Sequence, residues 1–281
     1  MMDPANDPIS NALREDLGAG DITTQFFVPE NLQALGKIVA RERAVVAGTE
    51  VAAEVFRRVD PNLGIEVLQP DGTALSGGET IMQVRGSAGS ILTAERVALN
   101  FLQRLCGIAT LTRQFVEAIG KSRAKILDTR KTTPGLRGLE KAAVLAGGGA
   151  NHRHTLSEMV LVKDNHLRAS EFSGIASIIQ RVRQERPGVR VEVEADRLDQ
   201  VRALLEVEGI DVILLDNMEP TEMREAVAAG KGKVKFEASG GINLKNVRRI
   251  AASGVDYISV GALTHSARSI DLSLELTHVE N

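Results

Sequence analysis

The sequence predicts an α/β protein: a region of mixed α+β character, then a small barrel of parallel strands. Two observations carry this. From Lys125 onward, apolar β-branched runs alternate with polar or glycine turns and helix-like stretches, the pattern of βα units around a parallel sheet. The last four strands would end at residues 194, 216, 238 and 260, a constant step of 22 that suits a minimal βα unit winding round a barrel.

The runs are KILD (125–128), MVLVK (159–163), VRVEVE (189–194), VILLD (212–216), KVKFEA (233–238) and DYISVG (256–261). Helical stretches separate the later ones: SGIASIIQRVRQE, RLDQVRALLEVE, EPTEMREAVAAG and NLKNVRRIAASG. Six strands are too few for the standard eight-stranded barrel, so a smaller one is expected. A doubly wound open sheet is the alternative. Before residue 100 the pattern differs. IVARERAVVAG reads as strand and VAAEVFRRV as helix. IEVLQPDGTALSGGETIMQVRG reads as short strands broken by Asp71-Gly72 and Gly77-Gly78, both hairpin signals. A long helix from about Thr93 to Gly120 joins the two parts, with Thr93 as N-cap and Arg96 in the first turn.

A length of 281 residues allows one large or two medium domains. The one cysteine, Cys106, excludes an internal disulfide and fits a reducing compartment. MMDPANDPIS has neither the basic nor the apolar region of a signal peptide. No apolar run approaches the ~20 residues that span a bilayer. A cytoplasmic protein is the expectation, with no membrane partner. The net charge of −3 argues against broad nucleic-acid binding. The charge is uneven, however. Residues 121–168 hold ten Lys/Arg against four Asp/Glu, and three of the five histidines.

In parallel α/β folds, sites form at the C-terminal ends of the strands. Those ends carry Asp128, Thr129, Arg130 and Lys131; Lys163 to His166; Glu194; Asp216 and Asn217; Ser239, Gly240 and Gly241; and Val260, Gly261 and Ala262. Arg130, Lys131, Arg153 and Lys163 would repel one another unless an anion sat among them. Arginine forks suit carboxylates and phosphates. The plainer alternative is pairing with Glu192, Glu194 and Asp216. Acids on such a rim suit Mg²⁺ held largely through a substrate phosphate, with Glu194 and Asp216 as candidate ligands, or else sugar hydroxyls. Glu192 points the same way as Glu194 but deeper, where a lysine inside the barrel could pair with it. The two glycine turns precede helices, where backbone N–H groups can meet an anion. His152, His154 and His166 lack the spacing of a metal cage, so no zinc site is expected. The residues alone point to a small polyanionic substrate set.

The motifs EDLGAGDITT (15–24), ERVALNFLQRLCGIAT (95–110), DTRKTTPGLRGLEKAAV (128–144), GGGANHR (147–153), LVKDNH (161–166), VEVEAD (191–196), LLDN (214–217), SGGI (239–242) and VDYISVGALTHS (255–266) run nearly end to end. Together they resemble the quinolinate phosphoribosyltransferases. The resemblance implies an N-terminal α+β sandwich domain, residues 1–108, followed by an incomplete, about six-stranded α/β barrel, residues 109–265. A tail, 266–281, would pack back on the first domain. It implies transfer of phosphoribose from phosphoribosyl pyrophosphate to quinolinate with loss of CO₂ and pyrophosphate, in NAD biosynthesis. It also implies Mg²⁺ and a homodimer. Quinolinate would lie near Arg130, His152, Arg153 and Lys163, with Arg96 reaching in from the partner subunit. Phosphoribosyl pyrophosphate would lie near Lys131, Lys163, Glu194 and Asp216, its 5′-phosphate on Ser239, Gly240, Gly241, Val260, Gly261 and Ala262, with Thr129 a further substrate-binding residue. Lys131, Lys163, Glu194 and Asp216 would be the catalytic set. Two positions depart from the family pattern: Ala142 stands where an aromatic is common, and Thr155 where glycine is expected. The rivals are a related phosphoribosyltransferase for another aromatic acid and a non-catalytic phosphate-ligand-binding protein.

Overall fold

A computed structural model of the chain describes residues 7–166 and 174–278. Its elements run α1 (Pro8–Leu17), α2 (Ile22–Phe27), β1 (Gln33–Ala40), β2 (Ala44–Val45), α3 (Thr49–Val59), β3 (Gly64–Val67), β4 (Ala74–Leu75), β5 (Thr80–Ser87) and α4 (Ala88–Ile119). Then come β6 (Lys125–Leu127), α5 (Arg137–Ala146), β7 (Met159–Val162), α6 (Ile175–Glu185), β8 (Arg190–Ala195), α7 (Leu198–Leu204) and β9 (Val212–Asp216). The last are α8 (Pro220–Ala229), β10 (Lys235–Ser239), α9 (Val247–Ala251), β11 (Tyr257–Ser259), α10 (Ala262–His265) and β12 (Leu272–His278). The chain divides into two compact units. The first runs up to Arg113, takes in Thr132–Gly148 and resumes at Leu263; the second is Gln114–Lys131 with Gly149–Ala262.

In the first unit an antiparallel sheet has the order β12-β1-β5-β3. The final strand lies along β1, Ala40 opposite Leu272 and Ala34 opposite His278. Its apolar face packs on α3 and α4 around fully buried Ile38, Phe56, Met82, Ile91 and Leu102. The two glycine-containing turns are not the hairpins the sequence suggests. β3 pairs with β5, while β4, which lies between them in the chain, pairs with β2. Asp71 instead caps a helix. Its carboxylate accepts the Gly48 N–H at 2.9 Å and the Thr49 N–H at 3.1 Å, satisfying the free amides that open α3. The long helix also starts earlier than predicted. Ser87, not Thr93, supplies the N-terminal cap, its hydroxyl accepting the Ser90 N–H at 3.3 Å. Thr93 sits inside α4 and donates to Asp21, so Arg96 is beyond the first turn.

In the second unit six parallel strands have the order β6-β11-β10-β9-β8-β7. Each βα step from β7 places the next strand beside the last, and β11 returns to pair with β6. That circular order is barrel connectivity with one seam, between β6 and β7. A doubly wound sheet would reverse direction at its middle. The strand runs succeed as predictors because buried parallel strands are almost continuously apolar. Val191, Val193, Ile213, Leu215, Phe236, Ala238 and Ile258 are each no more than 2% exposed. α8 begins on a reciprocal cap between Glu219 and Glu222, with Pro220 in its first turn. α9 and α10 have only five and four residues, shorter than the pattern implies.

Candidate active site

The seam is occupied by the segment that carries His152 and Arg153. Ala150 forms an isolated parallel bridge to Leu127. Its N–H donates to Ile126 at 2.8 Å, and its carbonyl accepts from Asp128 at 3.2 Å. Asp128, fully buried at the end of β6, then accepts the His152 N–H on its carboxylate at 2.9 Å. The Gly147–Gly149 run therefore delivers Arg153 to the edge of β6, the strand that leads into Arg130.

Arg130 and Arg153 are mutually repulsive neighbours. Burial holds the Arg153 guanidinium below its ordinary pKa, Arg130 lowers it further, and Glu192 and Glu158 act in the opposite sense. Arg153 donates to the Met159 carbonyl at 3.0 Å. The Nε of Arg130 is buried with no hydrogen-bond partner among the described residues. Two half-buried guanidinium groups side by side, one with an unused buried donor, form a place for a carboxylate.

Further round the rim, Lys163 lies 3.3 Å from Glu194. Here the plainer alternative of cation–acid pairing is realised in part. Asp216, at the end of β9, accepts from the Asn217 side chain at 2.7 Å. Lys131 is exposed, and its N–H donates to the Thr129 hydroxyl at 3.0 Å. Ser239 ends β10, and Gly240 and Gly241 follow with φ of 91° and 60°. A Cβ at Gly240 would stand 2.1 Å from the Asn217 side-chain oxygen, so close approach as well as backbone conformation requires glycine there. Asn243 and Asn246 donate to the Gly241 carbonyl. Val260 differs from its neighbours: it is 1% exposed and its N–H donates to Leu127 in the sheet. Gly261 and Ala262 are half-buried at the start of the four-residue α10. With α9 and α10 so short, any anion on these turns would rest on loop amides rather than on a helix dipole.

His152 turns inward. Its Nε2 lies 3.3 Å from Glu192 and 3.7 Å from Glu237, and the Ser259 hydroxyl donates to Glu237 at 2.5 Å. Burial, then the nearby Glu192 charge, pushes the Glu237 carboxyl up to about 7. Glu192 thus meets a histidine rather than the lysine its position suggested. Glu237 and Ser259 escaped the strand-end rule because they lie below the rim; the available signal was an acid inside an otherwise buried strand run. Ala142 and Thr155 are both exposed, and neither is among the rim groups described. Of the expected site residues, the second unit holds all but Arg96, which is exposed on α4 in the first unit.

Residues 21–106 match the family description "Quinolinate phosphoribosyl transferase, N-terminal domain", and residues 108–275 match its C-terminal counterpart. The carboxylating nicotinate-nucleotide pyrophosphorylase of Mycobacterium leprae is 44% identical over 98% of both chains. A probable enzyme of the same name from Bacillus subtilis is 41% identical over 94% of this chain and 90% of its own. The solved structure of NadC from Streptococcus pyogenes superposes with a TM-score of 0.92 at 39% identity, covering 100% of this chain and 99% of the other.

Proposed function

On the premise that this chain belongs to the quinolinate phosphoribosyltransferase family, we propose a division of labour within its site. The activity is that of a decarboxylating pentosyltransferase of NAD biosynthesis. It converts quinolinate and phosphoribosyl pyrophosphate to nicotinate mononucleotide, CO₂ and pyrophosphate. The observation that carries the assignment of roles is the repulsion between Arg130 and Arg153 beside a buried, unpartnered Nε.

Quinolinate is a dianion, and a desolvated dianion requires paired cations. Arg130 and Arg153 take its carboxylates. Lys131 and Lys163 face the pyrophosphate, and the turns at Ser239–Gly241 and Gly261–Ala262 hold the 5′-phosphate. As the ring nitrogen attacks the sugar carbon, that carbon becomes cationic, and the carboxylates of Glu194 and Asp216 stabilise it. Lys163, already 3.3 Å from Glu194, pairs with that acid until the substrate arrives. Loss of CO₂ then leaves the electron pair on the ring carbon beside the alkylated, cationic nitrogen, whose charge stabilises it until a proton from water takes the place of the carboxylate, so decarboxylation needs no further cofactor. Hard oxygen donors on Glu194 and Asp216 fit Mg²⁺, which when bound offsets the charge of the leaving pyrophosphate.

A second copy of the chain completes the site with its Arg96. Support comes from the exposure of Arg96 on α4 and from the neighbouring α2, tied to that helix through Asp21 and Thr93. α2 leaves Ile22, Phe26 and Phe27 70–83% exposed, an apolar cluster suited to a two-fold contact. No helix among the described residues is long and apolar enough to cross a membrane. A cytoplasmic location fits the one thiol, Cys106, which is buried with its pKa pushed up to about 12.

The test is direct. With Mg²⁺, quinolinate and phosphoribosyl pyrophosphate, the purified protein is expected to release CO₂ and form nicotinate mononucleotide. Nicotinate, one carboxylate short, leaves a cation unpaired and should turn over poorly. Equal turnover of nicotinate would overturn the dicarboxylate assignment.

A further inference from the structure

We propose that Glu192, Glu237 and Ser259 are positioning residues: they fix the His152 ring, and through it the Arg153 guanidinium, where that guanidinium takes a substrate carboxylate. The inference rests on the role given above to Arg153.

The place of one proton decides the arrangement. The Arg153 N–H donates to His152 Nδ1 at 2.8 Å, so Nδ1 offers a lone pair and carries no hydrogen. The ring hydrogen is therefore on Nε2, which faces the carboxylates of Glu192 and Glu237. The three side chains have the make-up of a metal site, their ligand atoms lying within 4.8 Å of one another. The tautomer argues against that use: an Nε2 that carries hydrogen has no lone pair for an ion. The same hydrogen makes His152 a donor across the barrel interior to Glu192 on β8, while Glu237 on β10 lies 3.7 Å from the same nitrogen and is held by Ser259 on β11.

The connection matters because of the seam. The segment from Ala150 to His152 follows β6 through backbone bonds to Ile126 and Asp128. On the far side of the barrel its anchor is the His152 ring. Nδ1 passes that anchorage to the next residue through the Arg153 amide. Glu192 and Glu237 are 1% and 2% exposed, and one oxygen of Glu192 has no hydrogen-bond partner among the described residues. Burying two acids around a neutral imidazole costs stability that apolar side chains would not. The arrangement is accounted for if it aims Arg153.

Kinetics and nitrogen NMR test this together. In ¹⁵N-histidine-labelled protein, His152 should give the signature of a single tautomer with hydrogen on Nε2. Glu192→Ala and Glu237→Ala should blur it into exchange between tautomers. Each should raise KM for quinolinate about 10–100-fold, the scale of a lost buried, charge-assisted contact, with KM for phosphoribosyl pyrophosphate unchanged. Glu237→Gln keeps an acceptor for both His152 and Ser259 and should rescue most of the loss. Ser259→Ala is the milder variant should an alanine at an acid fail to fold, with a smaller rise in the same KM. Unaltered KM for quinolinate in these variants, or a fall in kcat matching a general loss of thermal stability, would overturn the proposal. So would hydrogen on Nδ1 in the wild type. Failure of the functional reading is a separate result: wild-type protein that does not turn over quinolinate at all.

Discussion

Arg153 carries two opposing demands. Burial and the neighbouring Arg130 disfavour its charge, yet the charge is what an anionic substrate needs. Arg153→Ala should weaken quinolinate binding by about 2–5 kcal/mol, the usual cost of truncating one side of a desolvated charge pair. Its thermal midpoint should hold or rise, because the change relieves repulsion. Calorimetric titration and a melting curve check the two halves of this expectation, and unchanged affinity would remove Arg153 from the site. The rim residues were legible in the sequence because strand ends can be read from where a β-branched run stops. His152 was only half legible. Its neighbourhood of glycines marked a functional loop, but nothing in a string of letters tells whether a ring points toward the mouth or the floor. Glu237 was missed for a related reason: its meaning depends on Glu192 and Ser259, which come from other strands.

Among the elements, β12 shows how a local charge pair holds a distant segment. The Glu42 carboxylate receives the Arg268 guanidinium at 2.8 Å and the Asp271 N–H at 3.0 Å, just before β12 begins. Arg268, and then the Asp271 amide, lower the Glu42 pKa to about 2. The folded value is below the unfolded one, so the contribution is fully present above about pH 4.5 and disappears as the pH falls toward 2. Glu42→Gln should therefore lower the melting temperature at pH 7, by no more than the effect of about 1 kcal/mol expected for a solvent-screened pair. The gap should narrow below pH 4.5 and close only as the pH falls through about 2, and a gap that persists below that would assign Glu42 a different role. The barrel strands could be read directly from sequence, and so could β1, β2 and α3 of the first unit, but not its turns. Asp71-Gly72 has hairpin composition, but its carboxylate serves α3. α5 has no counterpart in the βα alternation; it is tied in by Arg104, which reaches Glu140 at 2.9 Å from 36 residues earlier in the chain.

For the molecule as a whole, the decisive expectation concerns two defective chains. Arg96→Ala and Lys131→Ala proteins should each be nearly inactive. Mixed and allowed to exchange subunits, they should regain roughly a quarter of the sites, because in a two-fold dimer one site then carries both lesions and the other neither. A mixture that stays inactive after exchange, verified by native mass spectrometry, would mean that Arg96 serves its own chain. The constant 22-residue step made the barrel's winding legible before any coordinates, since one repeated unit implies one repeated rotation. The return of residues 132–148 and of the last strand to the first unit left no such trace, because those contacts are settled by long-range packing rather than by period. That last strand also sets a timetable. Arg41 and Glu275 flank the β1–β12 pairing and are 234 residues apart, so a ribosome adding ~5–20 residues per second makes one roughly 10–50 s before the other. Throughout that interval the outer edge of β1 has no native neighbour, and a nascent chain must protect an open strand until β12 has been made and covers it.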